Sequence, residues 1–360
     1  MSSPYMNLKV VDITRETSDA ITIHFEHPEK QTIPYKPGQF LTLILPIEGK
    51  EIRRSYSLSS SPNDTRLSVT VKRVSGGVMS NYLLENVKVG DEIKVMEPLG
   101  NFCLECDAAK QRDVVLLGAG SGITPLMSIL KTVLQQEPGS RVTLLYGNRN
   151  EDTVIFKEQL QQLQQANPDR LKVEYIYSQP NQACDHRGRM NQSIVLKILE
   201  RLKIAKSADA LYYMCGPEGM MEEVRRALNV LHVPADRIFR ESFVSNKLLE
   251  QQQEEHHGDV LATDNDGEIT TQTVTIIYEG AEYSVEVQPD QTILEAALDQ
   301  DVDLPYSCQA GLCTACRGKC LSGKVHLDER EGLSDAELEE GYVLNCVGHP
   351  LTSDVVIEIG

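Results

Sequence analysis

The chain of 360 residues is short of positive charge: 35 Lys and Arg stand against 53 Asp and Glu, a formal net charge of −18. Polyanions are repelled by such a balance, which argues against nucleic acid and anionic membrane surfaces as partners. No apolar run approaches the roughly 20 residues a membrane-spanning helix needs. The N-terminus, Met1-Ser-Ser-Pro-Tyr-Met-Asn-Leu-Lys9, lacks a basic stretch followed by an apolar core, so no secretory signal is expected. Tryptophan is absent, while the rest of the composition, 41% hydrophobic and 24% charged, is ordinary for a soluble globular chain. A disulfide framework is missing too. The nine cysteines are an odd number, and Cys103, Cys106, Cys184, Cys215 and Cys320 follow no paired spacing. A cytoplasmic protein of two or three cored domains is expected.

What is present concentrates near the end. Tyr306-Ser-Cys308-Gln-Ala-Gly-Leu-Cys313-Thr-Ala-Cys316, answered at a distance by Cys346, reads C-x4-C-x2-C…C. That is the thiolate spacing of a plant-type [2Fe–2S] cluster. The loop must bend round the cluster and aim backbone N–H groups at its sulfurs, and Ala310, Gly311, Thr314 and Ala315 are small enough to allow it. Buried structural thiols or zinc would be plainer readings. Zinc more usually takes paired C-x2-C units or His partners, and the second pair is missing. The bacterial run C-x2-C-x2-C-x3-C-P fits badly, because Ala310 and Leu321 stand where its first Cys and its Pro belong. Cys308, Cys313, Cys316 and Cys346 are the expected metal ligands. Residues 271–360 hold four Lys or Arg against seventeen Asp or Glu. Such a surplus is either a solvated face or a surface that steers toward a basic patch on an electron acceptor.

Along the chain the hydrophobic period changes twice. Ile21, Ile23 and Phe25, then Leu41, Leu43 and Leu45, then Leu67, Val69 and Val71 repeat every second residue, with turn signals at Pro37-Gly38, Ser61-Pro-Asn-Asp64 and Gly90-Asp91. Short strands so spaced suggest an antiparallel barrel over residues 1–109. From there to residue 244, apolar runs at 114–117, 142–145, 173–177 and 211–214 alternate with helix-length stretches at 123–134, 156–166, 191–202 and 218–231. That alternation predicts βαβ units on a parallel sheet. Residues 245–270 are polar and acidic, and read as a flexible linker. Residues 271–360 open on a hairpin turning at Glu279-Gly280, continue through a helix at 292–299 to the cysteine loop, and close on a strand at 355–359. A β-grasp α+β domain is expected.

Four further motifs carry chemistry. Arg53-Arg54-Ser55-Tyr56-Ser57-Leu58 offers an Arg, an aromatic and a hydroxyl close along one strand, expected to share a face and meet a ligand with diphosphate and ring. Gly76-Gly77-Val78-Met79-Ser80-Asn81 follows a strand and opens a helix, where free N–H groups bind phosphate, with Ser80 capping or assisting. Gly118-Ala-Gly120-Ser-Gly122-Ile-Thr124-Pro125 brings a bare backbone at a positive helix end toward a pyrophosphate. Tyr213-Met-Cys215-Gly216-Pro217 ends a sheet strand, where ligands of open parallel sheets bind. Taken singly, each is also compatible with an ordinary strand or capped helix.

In this order, the four motifs resemble the ferredoxin–NADP reductase superfamily. Arg54-x-Tyr56-Ser57 resembles its flavin motif, Gly77-Val78-x-Ser80 its second FAD-phosphate motif, and the glycine loop with Thr124-Pro125 and Cys215-Gly216-Pro217 its nicotinamide nucleotide site. With a C-terminal plant-type ferredoxin domain, the chain is similar to the reductase components of bacterial oxygenases, and most to the phenylacetyl-CoA epoxidase group. Tyr146-Gly-Asn-Arg149 and Gly188-Arg189 also match, and Glu241-Ser-Phe243, here leading into the linker, resembles the segment that carries the family's aromatic beside the flavin. The resemblance implies a relay from nicotinamide through FAD to [2Fe–2S] and on to an external oxygenase. In it Tyr56 covers the flavin ring, Ser57 lies near flavin N5 and Cys215 lies near the nicotinamide. Arg149, assisted by Arg187 or Arg189, favours NADPH, whereas Glu151 and Asp152 close by favour the free ribose of NADH. Reductases of ring-hydroxylating, steroid or alkane oxygenases or of a hybrid-cluster protein, and a redox sensor without turnover, are the alternatives.

Overall fold

Two-residue alternation builds the first sheet. β1 (Tyr5–Thr17), β2 (Ala20–Glu26), β3 (Phe40–Ile47), β4 (Lys50–Ser57), β5 (Leu67–Lys72) and, after helix α1 (Val78–Asn86), β6 (Glu92–Met96) pair antiparallel in the order β4-β3-β6-β1-β2-β5. A bridge between Leu58 and Val69 joins the two edges and closes the barrel. Inward residues such as Leu8, Ile23, Phe25, Leu43, Val69 and Val95 are fully buried, and Leu83 of α1 plugs the same core. The computed structural model describes residues 5–204, 209–243, 270–309, 311, 313–330, 332–333 and 335–359. The linker expected over 245–270 lies, apart from Thr270, outside the described residues.

The second sheet is wholly parallel: β7 (Asp113–Ala119), β8 (Arg141–Asn148), β9 (Leu171–Tyr177), β10 (Leu211–Cys215) and β11 (Ile238–Glu241), in the order β11-β10-β7-β8-β9. Helices α2 (Ile123–Gln136), α3 (Lys157–Ala166), α4 (Gln192–Arg201) and α5 (Glu218–Val230) cover its faces. α2 buries eleven of its fourteen residues, more than one amphipathic stripe, because the barrel covers the flank that the sheet leaves open. Its Thr132 meets Ser61 at 3.3 Å, and Ser61 donates to Gln135 at 2.6 Å. Lys131 pairs with Asp64 of the same barrel turn. At the other end of the junction the Tyr213 hydroxyl donates to Cys103 O at 3.0 Å, with the ring edge-on to Phe102 and stacked on Phe239. Burying a ring of this size contributes about 2–3 kcal/mol. These contacts make one compact unit ending at Phe243.

The C-terminal part forms a second unit. β12 (Gln272–Tyr278) and β13 (Ala281–Val287) form a hairpin whose corner, Glu279 at φ 52° and Gly280 at φ 80°, has the two left-handed residues that fit strand twist. α6 (Ile293–Asp299) starts on a capping box: Thr292 Oγ1 accepts from Glu295 N at 3.2 Å while the Glu295 carboxylate accepts from Thr292 N at 2.9 Å. β14 (Arg317–Ser322), β15 (Val325–Leu327), α7 (Asp335–Glu339), β16 (Tyr342–Leu344), β17 (Gly348–Pro350) and β18 (Val356–Ile359) follow. The main sheet runs β13-β12-β18-β14-β16, with β18 parallel to β12, as a β-grasp fold requires.

Candidate active site and metal centre

The strand order of the parallel sheet reverses at β7. The chain steps from β7 to β8 and β9 on one side, then adds β10 and β11 on the other. A crevice opens at such a switch, beyond the carboxyl ends of β7 and β10. Register aligns Cys215 with Gly118 on one side and with Glu241 on the other. The glycines there are demanded by proximity. A Cβ on Gly122 would stand 2.1 Å from the Cys215 carbonyl oxygen, and one on Gly118 2.7 Å from Leu126 Cδ1. Gly120, at φ 56°, turns the chain so that its carbonyl accepts the Tyr146 hydroxyl at 2.9 Å. The Thr124 hydroxyl donates to Ser121 O at 3.0 Å, and Pro125 sits in the first turn of α2, where a missing N–H is tolerated. No side chain caps α2, so its positive end is open to an anion. Gly216 and Pro217 lead from Cys215 into α5, with Pro217 as its N-cap residue.

On the barrel side, β4 buries Arg53 and Ser57 and exposes Arg54. Arg53 is spent on Glu51 at 2.7 Å and the Tyr5 hydroxyl at 3.0 Å. Arg54 donates to the Arg53 carbonyl at 2.7 Å and, among the described residues, pairs with no carboxylate. Burial holds the Tyr56 phenol above its usual pKa. The expected sharing of one face by arginine, aromatic and hydroxyl is corrected here. Two-residue alternation leaves Arg54 and Tyr56 together but turns Ser57 to the opposite side. There the Ser57 hydroxyl donates to Glu241 Oε2 at 3.4 Å.

Glu241 lies in a recess that protein atoms crowd and solvent still touches. Burial pushes its carboxyl up to about 8, against the smaller opposing effect of the Ser57 hydrogen bond. Burial, then the neighbouring Glu241, raises the Cys215 thiol well above its ordinary value. At neutral pH this wall is therefore uncharged. Glu241 is not among the site residues expected from sequence: the segment Glu241-Ser-Phe243 points there only to its aromatic, Phe243. Phe243, two residues on, is 45% exposed at the same strand end.

α1 begins at Gly77 with no side-chain cap. Ser80 does not cap it: it is the third helical residue, and its hydroxyl accepts Val74 N–H at 3.1 Å. A Cβ on Gly77 would come within 2.8 Å of that hydroxyl. Val78, first in the helix, is 52% exposed. At the far side of the sheet Arg149 is exposed just past β8. Arg189 is exposed beside Met190, whose Cε lies 3.6 Å from where a Cβ on Gly147 would stand, so both arginines flank the end of β8.

In the C-terminal unit the four expected thiols converge. Cys313 hydrogen-bonds to Cys308, and Cys346 to both Cys308 and Cys316. Four sulfurs gathered in this way suit a group that supplies positive iron, so the donor set fits a [2Fe–2S] cluster. Gly311, at φ 68°, would clash with Glu329 if it carried a Cβ, and Asn345 Nδ2 donates to Cys316 O at 2.9 Å. Ala310 lies outside the described residues.

A helix with an uncapped N-terminus, a glycine loop at a sheet switch point and a four-thiol loop fit a flavin- and iron–sulfur-dependent oxidoreductase. The chain matches the families described as oxidoreductase FAD-binding domain over residues 7–103, oxidoreductase NAD-binding domain over 116–226 and 2Fe-2S iron-sulfur cluster binding domain over 276–351. It is 36% identical over 358 residues to a subunit of the 1,2-phenylacetyl-CoA epoxidase of Escherichia coli (strain K12), covering 98% of this chain and 97% of that relative. It is 35% identical over 357 residues to the ferredoxin reductase component of 3-ketosteroid-9-alpha-monooxygenase of Rhodococcus rhodochrous, covering 98% and 96%. Phthalate dioxygenase reductase shares the fold at a TM-score of 0.60 and 23% identity, covering 99% of this chain and all of that one. The chain belongs to the ferredoxin–NADP reductase superfamily, among the reductase components of oxygenases that carry a 2Fe-2S domain. FAD, NAD(P)H and a [2Fe–2S] cluster are its redox groups. Among the described residues no helix is long and apolar enough to cross a membrane.

Proposed function

We propose that this chain takes electrons from NADPH in the cytoplasm and delivers them to an external oxygenase, phenylacetyl-CoA epoxidase. The contact of Ser57 with Glu241 beside Cys215 carries the reading, because it joins the flavin barrel to the nucleotide crevice at one point. In this reading residues 1–109 hold the flavin, 110–244 the nucleotide and 271–360 the cluster. Arg54 and the open end of α1 at Gly77, Val78 and Ser80 hold the FAD diphosphate, while Tyr56 and Phe243 cover its ring. Gly118, Gly120, Gly122, Thr124 and Pro125 let the nucleotide pyrophosphate reach the end of α2. Cys215, Gly216 and Pro217 border the nicotinamide, and Arg149 and Arg189 pair with the 2′-phosphate. Cys308, Cys313, Cys316 and Cys346 ligate iron. When bound, flavin exchanges a hydride with nicotinamide, and the cluster carries electrons singly. The protein's own part is placement: Ser57 and protonated Glu241 keep the meeting point neutral, and the tight Gly122–Cys215 contact fixes the depth of the nucleotide.

The choice of oxygenase rests on the 36% identity to the epoxidase component; the 35% identity to a steroid monooxygenase reductase supports the second reading. Reconstitution decides. The chain with NADPH and a purified phenylacetyl-CoA oxygenase component should yield oxygenated product. Product only with a 3-ketosteroid oxygenase component would move the chain to the second reading.

A further inference from the structure

We propose that the loop at residues 178–191 selects the nucleotide by its 2′ group, and that Asn181 determines this specificity by tying up carboxylates that would repel a phosphate there. The proposal deepens the NADPH reading above and rests on it.

The local charge pattern is contradictory in sequence. Arg149 is followed, after Asn150, by Glu151 and Asp152, and acidic groups at the end of this strand favour a free ribose hydroxyl over a phosphate. In the fold the conflict is removed. The Asn181 backbone N–H donates to Glu151 Oε2 at 2.9 Å, and its side-chain amide donates to Asp152 Oδ2 at 2.9 Å. Gln182 N–H adds a second backbone bond to Glu151, and these amides hold the Glu151 carboxyl below its usual range. Both acids thus face the loop. Arg149, Arg187 and Arg189 stay exposed and, among the described residues, pair with no carboxylate.

The same loop is held firmly enough to act as one piece. Its first residues extend the β8–β9 ladder, Ser178 N donating to Asn148 O at 3.0 Å and Gln179 N to Arg149 O at 2.7 Å. Its far limb returns to β9, with Tyr177 N donating to His186 O at 3.0 Å and Gly188 N to Tyr177 O at 2.8 Å. Beneath, Glu174 takes His186 at 3.2 Å and Arg201 at 2.6 Å, so the limb bearing Arg187 and Arg189 is pinned between β9 and α4. One loop therefore withdraws two negative charges and presents two positive ones.

Asn181 is exposed, so its substitution spares the core. Asn181→Ala keeps the backbone bond to Glu151 but releases Asp152. The ratio of kcat/KM for NADPH over NADH should fall about fivefold, the effect of one charge-assisted hydrogen bond at a surface. The loss should sit in KM for NADPH rather than in kcat. Adding Asp152→Asn to Asn181→Ala should restore the ratio. An unchanged ratio in Asn181→Ala, or no recovery in the double variant, overturns the proposal. Arg149→Ala, run alongside, separates the two levels. If it leaves the ratio unchanged, the 2′-phosphate reading falls and this inference with it. If it collapses the ratio while Asn181→Ala does nothing, only the role of Asn181 falls.

Discussion

Gly122→Ala tests whether the switch-point crevice is where the nucleotide is held. Gly122 has φ −61° and ψ −8°, ordinary right-handed backbone, so alanine brings no conformational strain. The whole effect is steric. The added Cβ would lie 2.1 Å from the Cys215 carbonyl oxygen and 2.8 Å from Gly216 N, whereas ordinary contact begins at 3.4 Å. The glycine loop and the end of β10 must therefore part by roughly 1.3 Å, an overpacking that costs about 1–3 kcal/mol. A reacting geometry displaced by about 1 Å loses on the order of 100-fold in rate. Anaerobic rapid mixing with NADPH, followed at the flavin absorbance, should show hydride transfer slowed by that order, with FAD content and the cluster spectrum as in the parent. Gly219→Ala is the control: nothing lies within 4 Å of its new Cβ, and in the first turn of α5 alanine is no worse a helix residue than glycine. A Gly122→Ala protein that reduces its flavin at the parent rate would refute the placement of the nucleotide over this contact.

Two further perturbations address the other centres. The Glu241 carboxyl stays protonated up to about pH 8 in the fold, against an ordinary 4.5, so the unfolded chain releases that proton first and stability falls as pH rises across this window. Glu241→Gln should remove that slope from thermal unfolding of the N-terminal unit, and an identical slope in the variant would exclude Glu241 as its source. Cys346→Ser should abolish the iron–sulfur EPR signal and cytochrome c reduction while NADPH still reduces the flavin. A retained cluster signal would strike Cys346 from the ligand set.

Much of the fold is written locally. The Glu279-Gly280 corner, the Thr292–Glu295 capping box and the alternation of strands with helices between 114 and 231 each follow from chemistry within a few residues. Departures come from distant partners. A helix expected from 156 begins one residue later, because Phe156 takes φ 61° with its N–H given to the Glu16 carboxylate of β1 at 3.2 Å. No periodicity announces that contact. Likewise 211–214 reads as the sheet's last strand, yet Ile238–Glu241 pairs beyond it. Four residues, two apolar and then two of opposite charge, form a strand there because β10 offers an open edge.

The site divides in the same way. Phosphate-binding glycines are legible because their reason is local: a backbone must turn or come close. Cysteine spacing is legible because a cluster fixes the distances between its ligands. Glu241 is not, since its role depends on how β11 registers against β10. Parallel pairing sets Glu241 beside Cys215 and Arg240 beside Met214. A slip of one residue would bring Arg240 to Cys215 and toward Ser57, exchanging a carboxyl that burial keeps neutral for a guanidinium that cannot shed its charge. The meeting point of barrel and sheet would then carry a fixed cation and lose its titration near pH 8. Register, which no residue encodes by itself, thus decides the electrostatics where Ser57 of the barrel meets Glu241 of the parallel sheet.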